Sequence, residues 1–138
     1  MAITNVLKVL TLTAADLNDA RTLLSDAVAD LVTASQPPER VTVVQGVVLG
    51  TGRVDLVALA GNEAPYQNWV GVTDSIVYIQ PLDESPSLVA LQAEIDAMIS
   101  TQDGAGRKLR DEQRMTILIG GTQRDCLLMT FTDGAPAT

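Results

Sequence analysis

The stretch RVTVVQGVVLGTGRVDLVALAG, residues 40–61, carries two apolar, β-branched runs on either side of the glycine-rich segment GVVLGTG. Such runs predict two strands, and the glycines between them predict a hairpin turn. The alternative is a phosphate-binding loop. A P-loop requires a lysine, and none lies between Lys8 and Lys108. The dinucleotide fingerprint is incomplete as well, because Asp55 stands where its third glycine would be and a strand follows instead of a helix.

The faces of this hairpin suggest self-association. A three-residue loop at 50–52 would pair Val48 with Val54 and Val44 with Ala58, on one wholly apolar face. The opposite face is mostly apolar too, and only the residues near the turn are polar. Strands that are apolar on both faces are usually covered on both. We therefore expect a second copy of the chain to cover the face that the helices leave open.

Helical periodicity appears twice. One helix is predicted after a cap at Thr13, and a second after the Ser85-Pro86 pair, ending near Gly104. The predicted apolar stripes are Leu17, Ala20, Leu24, Ala27, Val28 and Leu31 in the first helix and Leu88, Leu91, Ile95, Met98 and Ile99 in the second. Residues 3–12 and 75–82 predict a strand before each helix, and residues 114–131 predict a second hairpin.

The two halves of the chain resemble each other. Residues 40–46 (RVTVVQG) parallel residues 114–120 (RMTILIG), so that Arg40 aligns with Arg114, 74 positions on; the two predicted caps stand 72 apart. We expect an α+β fold built from a duplicated βαββ unit, with about six mainly antiparallel strands and two helices packed on one face. The single domain would span 1–138, with pseudo-repeat halves 1–61 and 73–132 and a C-terminal tail at 133–138. A chance likeness between two apolar hairpins is the alternative.

Composition excludes several functions. The net charge is −8, with nine basic residues, which argues against binding nucleic acid or an anionic membrane. The chain has no histidine, the commonest general base and zinc ligand. Its one cysteine, Cys126, lies in the apolar run CLLMTF and is predicted to be a buried thiol. No apolar run is long enough for a transmembrane helix, so a soluble protein is expected. No catalytic residue, metal or cofactor is predicted.

Two segments are candidate interfaces. Residues 62–72 form a polar, proline-containing connection with two aromatic residues, which are typical interface anchors; the alternative is that they fold back on the core. Residues 107–114 (RKLRDEQR) predict a locally basic loop that could dock on an acidic partner, or could simply be solvated. The predicted interface residues are Tyr66, Trp69, Arg107, Lys108, Arg110 and Arg114.

In length, charge and composition the chain resembles small accessory virion proteins of tailed bacteriophages, namely capsid cement and tail-terminator proteins. The likeness rests on a short, acidic, histidine-free chain with stretches such as TLTAADLNDARTLL (11–24) and GTQRDCLLMTF (121–131). The repeated βαββ plan also looks like that of trimeric tautomerases and chorismate-mutase-like proteins. However, Ala2 stands where tautomerases have proline, and the dense arginine–glutamate set of the mutases is missing.

The phage resemblance implies a non-enzymatic virion protein, assembled in the host cytoplasm, that binds itself and a major structural protein of a capsid or tail. A tail-terminator or completion protein is the closest alternative. A second alternative is a cytoplasmic, oligomeric small enzyme or anionic-metabolite-binding domain, with an intersubunit site that uses Arg40, Arg53 or Arg114. A bacterial ligand-sensing or adaptor domain is the third.

Overall fold

The computed structural model describes residues 5–12, 15–34, 37–50, 52–62, 67–84 and 86–136. The first half contains β1 (Asn5–Leu12), α1 (Leu17–Thr33), β2 (Pro38–Leu49) and β3 (Gly52–Asn62). The short strand β4 (Trp69–Val70) follows. The second half contains β5 (Ser75–Pro81), α2 (Leu88–Gly104), β6 (Lys108–Ile119), β7 (Thr122–Thr132) and β8 (Ala135–Pro136). No helix of the described residues is long and apolar enough to cross a membrane.

The strands form two three-stranded sheets and one small ladder. The orders are β1-β3-β2 and β5-β7-β6, and every pairing in both sheets is antiparallel. β4 pairs with β8, which includes residues that the sequence assigns to a C-terminal tail. The predicted α+β class is confirmed. Both halves run strand, helix, strand, strand, while their common origin by duplication stays a prediction.

The two sheets meet along β2 and β6, where side chains join them. Arg110 pairs with Glu39, and the Gln113 amide donates to the Val41 carbonyl (Nε2–O, 2.8 Å). The buried carboxylate of Asp55 accepts from the backbone N–H groups of Gly46 and Leu118 (3.0 and 2.9 Å). One continuous six-stranded sheet was expected, and two sheets linked by side chains are found instead.

Helix α1 completes the core. Its N-cap is Asp16, whose carboxylate accepts from the backbone N–H of Asp19 (2.9 Å); the predicted cap, Thr13, lies outside the described residues. Five of the six predicted stripe residues are buried, and Leu17 packs against them. They join one cluster with residues of both large sheets. The first predicted stripe is therefore confirmed.

Helix α2 is capped by Ser87, two residues after the predicted Ser85, which is not among the described residues. Its only buried residue is Gln102, and it contributes nothing to the core cluster. Two helices packed on one face were predicted, and α2 does not pack on the core as α1 does. The left-handed glycine after α2 is Gly106 (φ +84°), whereas the sequence pointed to Gly104.

The hairpin turns are tighter than expected. Leu49 pairs with Gly52, which leaves a two-residue loop at 50–51 and moves the register by one residue from that predicted. A β-bulge between Val44 and Val47 then reverses the alternation of faces along β2, so that Val44 pairs with Leu56 and not with the predicted Ala58. In the second hairpin Ile119 pairs with Thr122. The two hairpins therefore match at an offset of 70 positions and not 74, because the turn sets the register.

The sequence predicted a loop at residues 107–114, and this prediction of the backbone structure is wrong. Residues 108–114 form the first half of β6 and pair with β7, with a bulge between Leu109 and Asp111. Residues 108–114 contain one apolar residue, Leu109, and in the strand Lys108, Glu112 and Arg114 are exposed while the others are half-buried.

Candidate functional site

Trp69 folds back on its own chain. Its indole Nε1–H donates to the Asp133 carbonyl (2.7 Å), and the ring lies 5.4 Å from the guanidinium of Arg110. The Asp133 carboxylate accepts from the backbone N–H groups of Thr73 and Asp74 (2.8 and 3.0 Å) and from the Thr73 hydroxyl. Gly134 packs closely against the backbone of β4, since a Cβ added to it would lie 2.3 Å from the Val70 carbonyl oxygen. Of the two readings of Trp69, the structure matches the one in which the aromatic residue folds back. Tyr66 lies outside the described residues.

Arg110 and Glu39 form the most buried ion pair described. Their side chains are 8% and 12% exposed, with Nη2 and Oε2 2.5 Å apart. The second carboxylate oxygen of Glu39 accepts from the Asn68 backbone N–H (2.9 Å). Burial lowers the pKa of Arg110 from its ordinary value, although the charge of Glu39 opposes that shift. The pair anchors the connection between the two halves of the chain, so Arg110 is poorly placed to meet another protein.

The other predicted basic residues also have partners within the chain. Arg107 bonds to Asp74 (2.6 Å) and to the side-chain oxygen of Gln102, and Lys108 pairs with Asp103. Arg114 pairs with Asp125 at 2.5 Å, and its pKa is raised because that carboxylate accepts its hydrogen bonds. Only Lys108 and Arg114 have mostly exposed side chains, so these two remain the accessible members of the predicted set.

An open cleft of about 960 Å³ lies between the start of α1, the side of α2 and β5. Its charged groups are already paired. Arg21 donates to the Ile79 carbonyl (2.7 Å) and stacks over Tyr78, with its guanidinium carbon 4.2 Å from the ring centre. Arg124 bonds to both Asp83 and Glu84. The hydrogen bond from Arg124 lowers the pKa of Asp83.

Asp83 and Glu84 precede α2 in the sequence, and both carboxylates pair with Arg124. The cleft also contains Glu94, which accepts from the buried amide of Gln80 (2.9 Å). These pairings make the cleft a structural junction, because the charges that would meet a ligand are engaged within the chain.

The one cysteine of the chain is not placed for nucleophilic chemistry. Cys126 is fully buried, which confirms the predicted core thiol, and burial raises its pKa to about 11. At neutral pH it is therefore a thiol and not the nucleophilic thiolate. Among the residues that the structure describes, no group of three or more Cys, Asp or Glu side chains is placed to hold a metal ion.

Among the described residues, large apolar side chains are exposed in three elements, namely α2, β2 and, at Val70, the short strand β4. Leu88 and Val89, in the first turn of α2, are 79% and 81% exposed. Val48, beside the β2–β3 turn, is 71% exposed, and Val44 on the same strand is also exposed. We take two apolar surfaces, the α2 start (Leu88 and Val89) and the hairpin surface (Val48), as the candidate functional site. Val44 is not part of the hairpin surface, because it pairs with Leu56 while Val48 pairs with Arg53, and these partners point to opposite faces of β3.

Comparison with protein-family models, with curated proteins and with solved structures finds no match to this chain. The candidate site therefore rests on its own geometry.

The sequence predicted one apolar face containing both Val44 and Val48. Both side chains are exposed, but the bulge between them places them on opposite faces of the hairpin. Sequence reasoning missed the α2 start because Leu88 was assigned to a buried stripe. One signal was available in the sequence: Val89 lies beside Leu88 and outside the stripe, so two large apolar residues follow the cap together.

Proposed function

We propose that this chain is a non-enzymatic assembly protein, an accessory structural protein of a bacteriophage particle of the capsid cement type. It associates with itself and binds a major structural protein, which it reinforces. The observation that carries the proposal is the pair of exposed apolar surfaces on different elements, the α2 start and the hairpin surface. A protein that reinforces an assembly has to contact two neighbours at once, and two separate apolar surfaces provide for this.

The charge distribution is consistent with such a role. The basic residues of β6 hold the chain's own carboxylates, and the charges of the cleft are paired in the same way. With a net charge of −8, the α2 start supplies the attraction between copies and the hairpin surface the attraction to the structural partner, while the like charges oppose nonspecific aggregation. The protein would be part of the virion after assembly in the host cytoplasm.

The test begins with the genes that flank the coding sequence. Genes for a capsid, terminase or tail protein would supply the partner, whose purified particles are then sedimented with this chain. We expect the chain to pellet with the particles, and Val48→Glu to reduce that binding severalfold. Asp26→Glu, an exposed and conservative change on α1, serves as the control.

The amount bound separates the two structural readings. Binding in proportion to the capsid subunits supports a cement protein, and saturation at one small ring per particle supports a tail terminator. Flanking genes for metabolic enzymes, together with no sedimentation with any particle, would overturn the proposal.

A further inference from the structure

The two halves of the chain can be superimposed by register. The residues that flank the hairpin turns, Leu49 and Ile119, stand 70 positions apart. The outer strands keep the same offset, since Leu7 pairs with Ala60 in the first sheet and Val77 pairs with Thr130 in the second. The helix caps Asp16 and Ser87 are 71 positions apart. Each element of one half therefore has a defined counterpart in the other.

Helix α1 covers the outer edge of β5, which belongs to the other half. The Ser25 hydroxyl donates to the Val77 carbonyl (3.2 Å) and accepts from the Val77 N–H (3.1 Å). Arg21 donates two hydrogen bonds to the Ile79 carbonyl (3.1 and 2.7 Å). The partner of β5 within the sheet is β7, so these contacts occupy the side of β5 that faces away from its sheet. An exposed edge of this kind would otherwise invite pairing with another chain.

Helix α2 has the same pattern of apolar residues as α1, but its apolar residues are less buried. The buried residues of α1 have α2 counterparts, 71 positions on, that are apolar except for the last. These are Leu91, Ile95, Met98, Ile99 and Gln102, of which only Gln102 is buried and the others are half-buried. The contrast is largest at the start of the helices, because Leu17 packs against the core cluster while its counterpart Leu88 is 79% exposed.

The edge that corresponds to β5 is β1, the terminal strand of the order β1-β3-β2. Charge favours a meeting of α2 with this strand. Residues 88–104 contain Glu94, Asp96 and Asp103 and no basic residue. Residues 5–12 contain Lys8 and no acidic residue. A net-acidic helix and a net-basic strand are complementary.

We propose that α2 of one copy lies along the outer edge of β1 in a second copy, in the position that α1 takes along β5 within one chain. The proposal rests on the self-association proposed above and names the surfaces that carry it. The helices correspond at an offset of 71 positions and the strands at an offset of 70. Asp96 therefore takes the place of Ser25 and meets Leu7. In the same way, Gln92 takes the place of Arg21 and meets Val9. Leu88 is then half-buried, as Leu17 is. Each copy offers one α2 and one β1, so the contact closes either a reciprocal dimer or a ring.

Engineered cysteines test this placement directly, because the native Cys126 is fully buried and does not compete. One chain carries Asp96→Cys and the other Leu7→Cys, and the mixed proteins are oxidised mildly and run on a non-reducing gel. The matched control replaces Asp96→Cys by Thr101→Cys, an exposed position about 140° away around the axis of α2. Since a disulfide needs Cβ atoms about 4 Å apart, we expect the first mixture to give about tenfold more cross-linked dimer than the control. Gln92→Cys with Val9→Cys is the second pair, should Leu7→Cys fail to fold.

Light scattering on the unmodified chain separates the two levels of the proposal. Assembly without cross-linking above the control in either pair overturns the docking of α2 on β1 and leaves self-association standing. A monomer at all concentrations overturns both the docking and self-association, while sedimentation with particles still reports on the structural partner. Cross-linking in both pairs, with assembly, supports the docking.

Discussion

At the scale of single residues, Asp55 links the two hairpins. Its carboxylate is buried, and its two oxygens accept from Gly46 on β2 and Leu118 on β6. The Gly46 N–H is available because a bulge takes it out of the ladder between β2 and β3. In the sequence Asp55 reads only as a polar residue near a turn. Its role depends on a strand that lies 63 positions away, which local pattern cannot reveal.

Asp55→Asn tests this link with almost no change of shape. An amide offers one acceptor oxygen where the carboxylate offers two, so its NH₂ group would face a backbone N–H at one end. We expect a loss of about 1–3 kcal/mol in the free energy of unfolding, measured by urea denaturation. Asp26→Asn, on the exposed side of α1, is the control and should change stability by less than about 0.5 kcal/mol. Equal effects of the two changes would show that Asp55 does not join the hairpins.

At the scale of elements, the turn of the second hairpin packs against the segment that leads into α1. Gly120 and Gly121 both have positive φ (+59° and +83°). A Cβ on Gly120 would lie 2.6 Å from the carbonyl oxygen of Ala15, whereas a Cβ on Gly121 would meet nothing within 4 Å. Two adjacent glycines therefore carry the same backbone requirement and differ in a single contact.

Replacing each glycine by alanine separates the two effects. Gly121→Ala should cost about 1–2 kcal/mol of unfolding free energy, the penalty of the left-handed conformation. Gly120→Ala should cost clearly more, because the turn or the backbone at Ala15 has to move as well. Urea denaturation of both variants measures the difference. Equal losses would mean that the turn does not hold the start of α1.

Elements whose apolar residues recur at a regular spacing could be predicted from the sequence. Features that depend on contacts between residues far apart in the chain could not. The spacing of Ala20, Leu24 and Val28 identifies α1 and its buried face, because the stripe has one partner, the core. The start of β6 was misread because its charged side chains pair with residues far along the chain, as Arg110 does with Glu39. Trp69 follows the same rule, since its hydrogen-bond acceptor, the Asp133 carbonyl, is 64 positions away.

At the scale of the whole molecule, the two halves share an element order but bury their helices unequally. Helix α1 has five buried residues and covers the edge of β5, while α2 has one and leaves Leu88 and Val89 exposed. In the docking proposed above, the apolar start of the second helix is covered by a contact between molecules. Sequence periodicity gives both helices a stripe, so it cannot show which stripe is covered within the chain and which between chains.

This asymmetry predicts that folding is coupled to assembly through Leu88. If copies associate only when folded, the melting temperature of the unmodified chain rises with protein concentration. The free energy of unfolding increases by about 1.4 kcal/mol for each tenfold increase in concentration above the dissociation constant. For a domain of this size that is a shift of about 4 °C. Leu88→Glu should abolish the dependence and leave the melting temperature at low concentration nearly unchanged, because the side chain is 79% exposed in the single chain.

Val48→Glu is the matched control: it adds the same charge at an equally exposed valine on the hairpin surface and should keep the dependence. Calorimetry at two concentrations measures all three proteins. If Leu88→Glu retains the concentration dependence, or lowers the melting temperature equally at every concentration, then Leu88 is not part of a contact between copies.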